Sequence, residues 1–241
     1  MTVPRGVVTK IKFACLALIG SLLCGGLLVV WMTSMPGKSF AGAQPPLSAK
    51  ELAIQHNLKR HIEMLATQIG VRNRSKPAKL AEAAEYIAAS LGELGYKVSR
   101  QEYQADGSWI CNIEAELPGT TKADEIILLG AHYDTTNISP GANDNGSGIA
   151  GVLELARLFA GKNQSRTIRF VAFTYEEPPY FATVNMGSAQ YADRCASRNE
   201  NIVAMIALET FGFYSDQPNS QSYPLPLLHS CIQEKLLKFA T

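Results

Sequence analysis

The chain has 241 residues, 46% hydrophobic and 18% charged, which is room for one domain of ordinary size and an appendage. A formal net charge of +1 gives no bulk field that would attract nucleic acid or an acidic partner. The five cysteines (Cys15, Cys24, Cys111, Cys195 and Cys231) form no CxxC pair, which argues against a thiolate zinc site and against a disulfide framework, leaving only a single Cys111–Cys195 bridge open.

Taken in chain order, the first feature is Phe13 to Met32, a run without charge in which Ser21 is the one plainly polar residue. It matches the roughly 20 apolar residues that span a bilayer. Arg5, Lys10 and Lys12 precede it and Lys38 alone follows closely, so the positive-inside rule puts residues 1–12 in the cytoplasm and the rest of the chain outside it. An uncleaved anchor is the expectation. A cleaved signal peptide fits less well, because the candidate cleavage site Ala41-Gly42-Ala43 lies far beyond the apolar run. A lipoprotein signal at Cys24 would have Leu23, a poor size, just before it.

Residues 33–47 are rich in Pro, Gly, Ser and Ala and read as a linker. Ser48 with Glu51 three residues on is a capping-box pattern, opening a helix to about Thr67 that Gly70 ends. His56 and His61 on this helix read as surface residues. Leu80, Ala84, Ile87, Ala88 and Leu91 predict a second helix over Pro77 to Leu94. The pattern then turns to strands at 97–104, 109–116, 125–130, 167–173 and 202–208. An amphipathic helix is expected over 146–160, and another over Met186 to Cys195. Strands alternating with helices imply an α/β layered fold, with Ile126–Leu129 and Ile168–Phe173 as inner strands.

The inner strands end in residues suited to metal chemistry. Ile126–Leu129 runs into His132 and Asp134, Arg169–Phe173 into Glu176 and Glu177, and Ile202–Leu208 into Glu209. The tight loop Pro140 to Gly148 carries Asp144 just before a helix. Open α/β sheets gather ligands at the carboxyl ends of their strands, so these side chains are expected in one cleft. One imidazole among several carboxylates suits zinc or a similar divalent ion. Asp134 is placed to accept the free ring N–H of His132 and so orient it. At a strand end, one of the two adjacent glutamates can bind metal while the other takes a proton from water. Each motif alone is weak: an HxD, a turn that caps a helix, a solvated pair of glutamates. Their order, each at the end of a predicted strand, is specific.

Several stretches carry a resemblance: Gly130 to Thr135, Pro140 to Gly148, Phe173 to Phe181, Met186-Gly187-Ser188 and Leu208 to Ser215. Over about Glu51 to Leu228 the chain resembles the di-zinc metallopeptidases of family 28, which include aminopeptidases, glutamate carboxypeptidase relatives and, more distantly, glutaminyl cyclases. The resemblance implies a three-layer zinc-exopeptidase fold, phosphorylase/hydrolase-like, with a mixed, mostly parallel central sheet. It implies that His132 is a ligand of the first zinc, that Asp144 bridges two zincs, and that Glu177 binds the second. Glu209 stands where many members have an aspartate ligand of the first zinc. Glu176 is implied as general base and Asp134 as the partner of His132. The substrates implied are peptides, cut beside a free terminus.

The same resemblance requires a further histidine, on the second zinc, near the C-terminus. The only later histidine is His229, in a stretch (229–241) unlike the family, and it is not assigned as a ligand. The domain is therefore expected to be incomplete, with residues 48–228 forming a C-terminally truncated metallopeptidase whose second zinc lacks one ligand. The leading reading is an exopeptidase of aminopeptidase type held at a membrane. A truncated inactive pseudoenzyme or tethered binding domain, and a glutaminyl cyclase with one zinc, stay open beside it.

Overall fold

The computed structural model describes residues 5–33 and 45–213. The expectations that concern residues 34–44, His229, Cys231 and the segment 229–241 lie outside the described residues. The first described unit is a single helix, α1 (Arg5–Thr33). Its stretch Val8–Met32 is apolar enough and, at 25 residues, long enough to cross a membrane, a test that a signal sequence near the N-terminus also passes. At about 1.5 Å per residue it exceeds the roughly 30 Å of bilayer hydrocarbon. The helix begins before Phe13 and takes in Lys10 and Lys12.

The second unit holds α2 (Ala49–Glu63), α3 (Pro77–Glu93), α4 (Gly148–Phe159), α5 (Gly187–Ser197) and five strands: β1 (Val98–Ala105), β2 (Ser108–Leu117), β3 (Lys122–His132), β4 (Arg166–Phe173) and β5 (Asn201–Ala207). The capping box at Ser48 and Glu51 is present, with reciprocal bonds between side chain and backbone. α2 runs on into a π-helical turn, Met64–Ile69, and stops at Gly70, whose φ of 79° is costly for any residue with a Cβ. Pro77 opens α3, where its missing N–H has no helical partner to lose.

The strand order is β1-β2-β4-β3-β5. β4, β3 and β5 are parallel neighbours, while β2 runs antiparallel to both β1 and β4. β2 alone therefore points against the other four. β3 and β4 are inner strands, as expected from runs that are apolar on both faces, and β2 is the third; Thr167 to Phe173 is buried throughout. The main core packs Ile87 and Leu91 of α3 and Ile149, Val152 and Leu153 of α4 against one face of the sheet. Tyr191 and Cys195 of α5 cover Leu128, Val171 and Phe173 on the other, which makes three layers. A charged network also lies under α5, where Glu114 meets Arg194 and Tyr191 while Arg169 meets Glu116 and Glu200. β1 and β5 are the edge strands among the described residues, and β5 leaves Val203, Met205 and Ile206 exposed.

Two expectations change. His61 is buried, not superficial: its Nδ1 lies 2.6 Å from the Tyr86 hydroxyl in the seam between α2 and α3. Cys111 and Cys195 are both free, so they form no bridge.

Candidate metal centre

The parallel register aligns the carboxyl ends of three strands. His132 of β3 is paired with Phe173 of β4, and Gly130 with Ala207 of β5. Leu208 N–H still donates to Gly130 O at 2.8 Å, so Glu209 leaves the sheet beside His132. The chain beyond Phe173 turns over the same edge and delivers Glu176 and Glu177.

Asp144 reaches this edge through a turn that two buried side chains hold. Gly141, at φ 64°, begins it, and a Cβ there would collide with the Asp144 carbonyl and the Thr135 methyl. The Asp144–Asn145 peptide is cis. Arg72 is fully buried, and its guanidinium lies within hydrogen-bond distance of five backbone carbonyls: Tyr133, Leu65, Gly70, Pro140 and Gly141. It thus fixes the His132–Asp134 segment against the turn that precedes Asp144. Burial pushes its pKa down to about 10, with the charge of Asp134 acting in the opposite sense. Asn145, also fully buried, donates to Leu208 O and to Glu209 Oε2, each at 2.9 Å, and accepts from Gly148 N–H. The turn that leads into α4 and the end of β5 are therefore tied together through one amide.

The result is a cluster around His132 Nε2. Asp144 Oδ1 stands 3.1 Å from it, Glu209 Oε2 3.5 Å and Glu176 Oε2 3.7 Å. His132, Asp144 and Glu209 present ligand atoms within 4.8 Å of one another, and so do His132, Glu176 and Glu177. All five side chains singled out in the sequence as metal or proton carriers converge, with Asp134 behind them.

Asp134 does more than the sequence reading assigned to it. Its Oδ1 is 3.4 Å from His132 Nδ1, an ion-pair contact that is too long and poorly aimed to count as a hydrogen bond. Its hydrogen bonds come instead from the backbone N–H groups of Glu176 (3.0 Å) and Glu177 (3.1 Å). One buried carboxylate thereby sets both glutamates and faces the histidine. Arg72 and Asn145 were not anticipated at all. Asn112, fully buried and holding Thr174 N–H at 3.0 Å just before the glutamates, was missed for the same reason.

The electrostatics call for a cation. Burial opposes a charge on His132, yet the carboxylates of Asp134, Glu209 and Glu176 outweigh it and hold its pKa up at about 10. Burial raises Glu177 to about 7, with Asp144 reinforcing the shift and His132 opposing it. Burial also raises Glu176. A buried imidazole that takes a proton under these conditions, and carboxylates that resist ionising beside one another, fit a divalent ion held by one nitrogen and several oxygens.

A mixed three-layer sheet with this cluster at its carboxyl edge defines a metal-dependent hydrolase class of site. The sequence model of peptidase family M28 matches residues 112–236, and the chain belongs to that family. The Escherichia coli K12 protein YfbL is 36% identical over 185 residues, 73% of this chain and 55% of that protein. Aminopeptidase YwaD of Bacillus subtilis is 40% identical over 81 residues, 34% of this chain and 17% of that protein. The chain thus spans about half or less of the length of these relatives. Among solved structures, a zinc aminopeptidase from Bacillus subtilis superposes with a TM-score of 0.59 at 16% identity, covering 80% of this chain and 79% of that one. A glutaminyl cyclase from an Acidobacteriales bacterium gives 0.57 at 19% identity, covering 85% and 74%. Likeness at such identity concerns the fold alone.

Proposed function

We propose that this chain is a zinc-dependent exopeptidase of aminopeptidase type, and that His132, Asp144 and Glu209 hold one zinc while Asp144 and Glu177 contribute to a second. The observation that supports this best is the convergence of Asp144, Glu209 and Glu176 on His132 Nε2 at 3.1–3.7 Å, with Glu177 in the same cluster, in a family of metallopeptidases. A zinc ion held there would supply Lewis acidity toward the peptide carbonyl and would lower the pKa of water enough for it to serve as a nucleophile near neutral pH.

The chain's own residues do the rest. Glu176, half-buried and raised in pKa, takes a proton from the attacking water as its oxygen bonds to the carbonyl carbon. The same carboxyl group then gives that proton to the leaving amine as the carbon–nitrogen bond breaks. Asp134 keeps Glu176 and Glu177 at the cleft by accepting their N–H groups, and keeps the His132 ring turned with Nε2 inward. Asn145 restrains the Glu209 carboxylate.

Helix α1 is read as a membrane anchor, with residues 1–12 in the cytoplasm, 13–32 in the bilayer, 33–47 as linker and the catalytic domain from residue 48 outside the cytoplasm. The charge asymmetry about the helix supports this orientation. The test of the exopeptidase reading is hydrolysis of leucine p-nitroanilide beside its N-acetylated form. An exopeptidase that needs a free amine cleaves the first and leaves the second intact. Equal cleavage of both, or cleavage within a long blocked peptide, contradicts it.

A further inference from the structure

We infer that a cavity on the Glu177 side of the centre is a substrate subsite that receives a carboxylate of the peptide, on a side chain or at the chain end, with Arg74 as its receptor. The inference rests on the peptidase reading above and deepens it by naming a substrate class.

The cavity measures about 340 Å³, and Glu177 and Asp134 form the part of its wall nearest the metal centre. Tyr175 and Tyr180 stack with ring centroids 4.0 Å apart and form another wall. Arg74 also lines the cavity, with its side chain 59% exposed. An occupant anchored beside Glu177 thus shares the cavity with aromatic surface suited to a methylene stem and with a guanidinium.

The hydrogen bonds show which groups are left to meet a ligand. Asp134 is committed to two backbone amides. Asp106 accepts the Tyr180 hydroxyl at 2.7 Å and stands 3.4 Å from Arg74 Nε. That arrangement turns the Nε edge of the guanidinium toward the aromatic wall. Its two terminal nitrogens have no partner among the described residues. They form the planar fork that matches a carboxylate bidentately. The Asp106 contact is long and exposed on both sides, and such pairs contribute little, so it does not cancel the fork's attraction for a second carboxylate. A basic side chain in the same cavity would meet the guanidinium and be rejected.

The experiment compares the full-length chain with Arg74→Met on two substrate pairs. Glutamyl and glutaminyl p-nitroanilide differ only in a side-chain carboxylate against a carboxamide, and Leu-Leu and Leu-Leu-amide differ in the same way at the chain end. In at least one pair the acidic member is favoured by tenfold or more in kcat/KM, carried by KM, and Arg74→Met collapses that ratio to within twofold. The pair that responds identifies the source of the carboxylate. Ratios that Arg74→Met leaves unchanged in both pairs overturn the subsite. Should no substrate be turned over, the peptidase reading fails separately. The subsite is then read by calorimetric binding of Leu-Leu against Leu-Leu-amide and of glutamate against glutamine, where the same Arg74-dependent preference for the carboxylate supports it and no preference overturns it.

Discussion

Asp134 and Glu177 are joined through the backbone: Oδ2 of the buried carboxylate accepts the N–H of the glutamate at 3.1 Å, while its Oδ1 accepts the N–H of Glu176. Two adjacent glutamates that would otherwise point to opposite sides of a strand are thus presented at one cleft by a residue that itself faces the histidine. Asp134→Asn keeps the shape but replaces one acceptor oxygen with an N–H₂ donor, so one amide loses its partner. We expect the chain to stay folded and its zinc affinity to fall about 10- to 100-fold, the usual cost of losing a residue that orients a ligand. Competition with a chromogenic chelator measures this, and an unchanged affinity would place the role of Asp134 elsewhere.

Arg72 should be the least replaceable side chain that touches no ligand. Arg72→Met takes the donor from the carbonyls of Gly70, Tyr133 and Pro140, which lie in three separate segments, while those of Leu65 and Gly141 keep the N–H groups of Gly70 and Gly146; the expected loss is about 3–5 kcal/mol in urea unfolding. Arg72→Lys keeps the charge but has three donors for five carbonyls, and is expected to lie between the wild type and Arg72→Met. A surface arginine such as Arg100, whose ion pair is with the exposed Glu85, is the control and should cost under about 1 kcal/mol when replaced.

His61 makes stability depend on pH. Burial, reinforced by the charge of Arg60 and opposed by Glu154, lowers its pKa from 6.5 to about 4. Between those values the unfolded chain binds the proton and the folded chain does not, so the folded state loses stability as pH falls from about 6.5 toward 4. The loss amounts to about 2 kcal/mol after allowance for partial hydration. Urea midpoints of the wild type and His61→Gln across this window test it: the difference between the two should shrink as the pH falls, and a constant difference would contradict the assignment.

Zinc should stabilise the domain by mass action. At a free concentration a hundredfold above the dissociation constant, binding to the folded chain alone adds about 2.7 kcal/mol. Thermal unfolding with zinc and with a chelator measures the shift. Glu209→Gln should reduce it, because the first position then loses a charged oxygen while the Asn145 contact can be kept by the amide oxygen.

Much of this arrangement was legible in the sequence, for reasons that can be stated. β3 and β4 stood out because strands buried on both faces read as unbroken apolar runs, and the ends of those runs marked where His132, Glu176 and Glu177 would emerge. Glu209 followed from the same logic on β5. What the sequence concealed were side chains whose partners are backbone carbonyls and amides. A lone arginine in Val71-Arg72-Asn73 carries no periodicity, and the five carbonyls it meets come from stretches up to 69 residues away. Asn145 and Asn112 were hidden likewise. His61 was misread because its burial depends on Tyr86 of α3, a contact between helices that neither helix's own pattern announces.

The central claim is that His132, Asp144, Glu177 and Glu209 hold zinc while Glu176 moves the proton. Zinc content and the initial rate on leucine p-nitroanilide, measured side by side for the wild type and Glu176→Gln, test it most directly. The account predicts equal zinc in the two proteins and a rate at least about a hundredfold lower in the variant. A variant that keeps the wild-type rate, or a folded wild type that takes up no zinc, would contradict it.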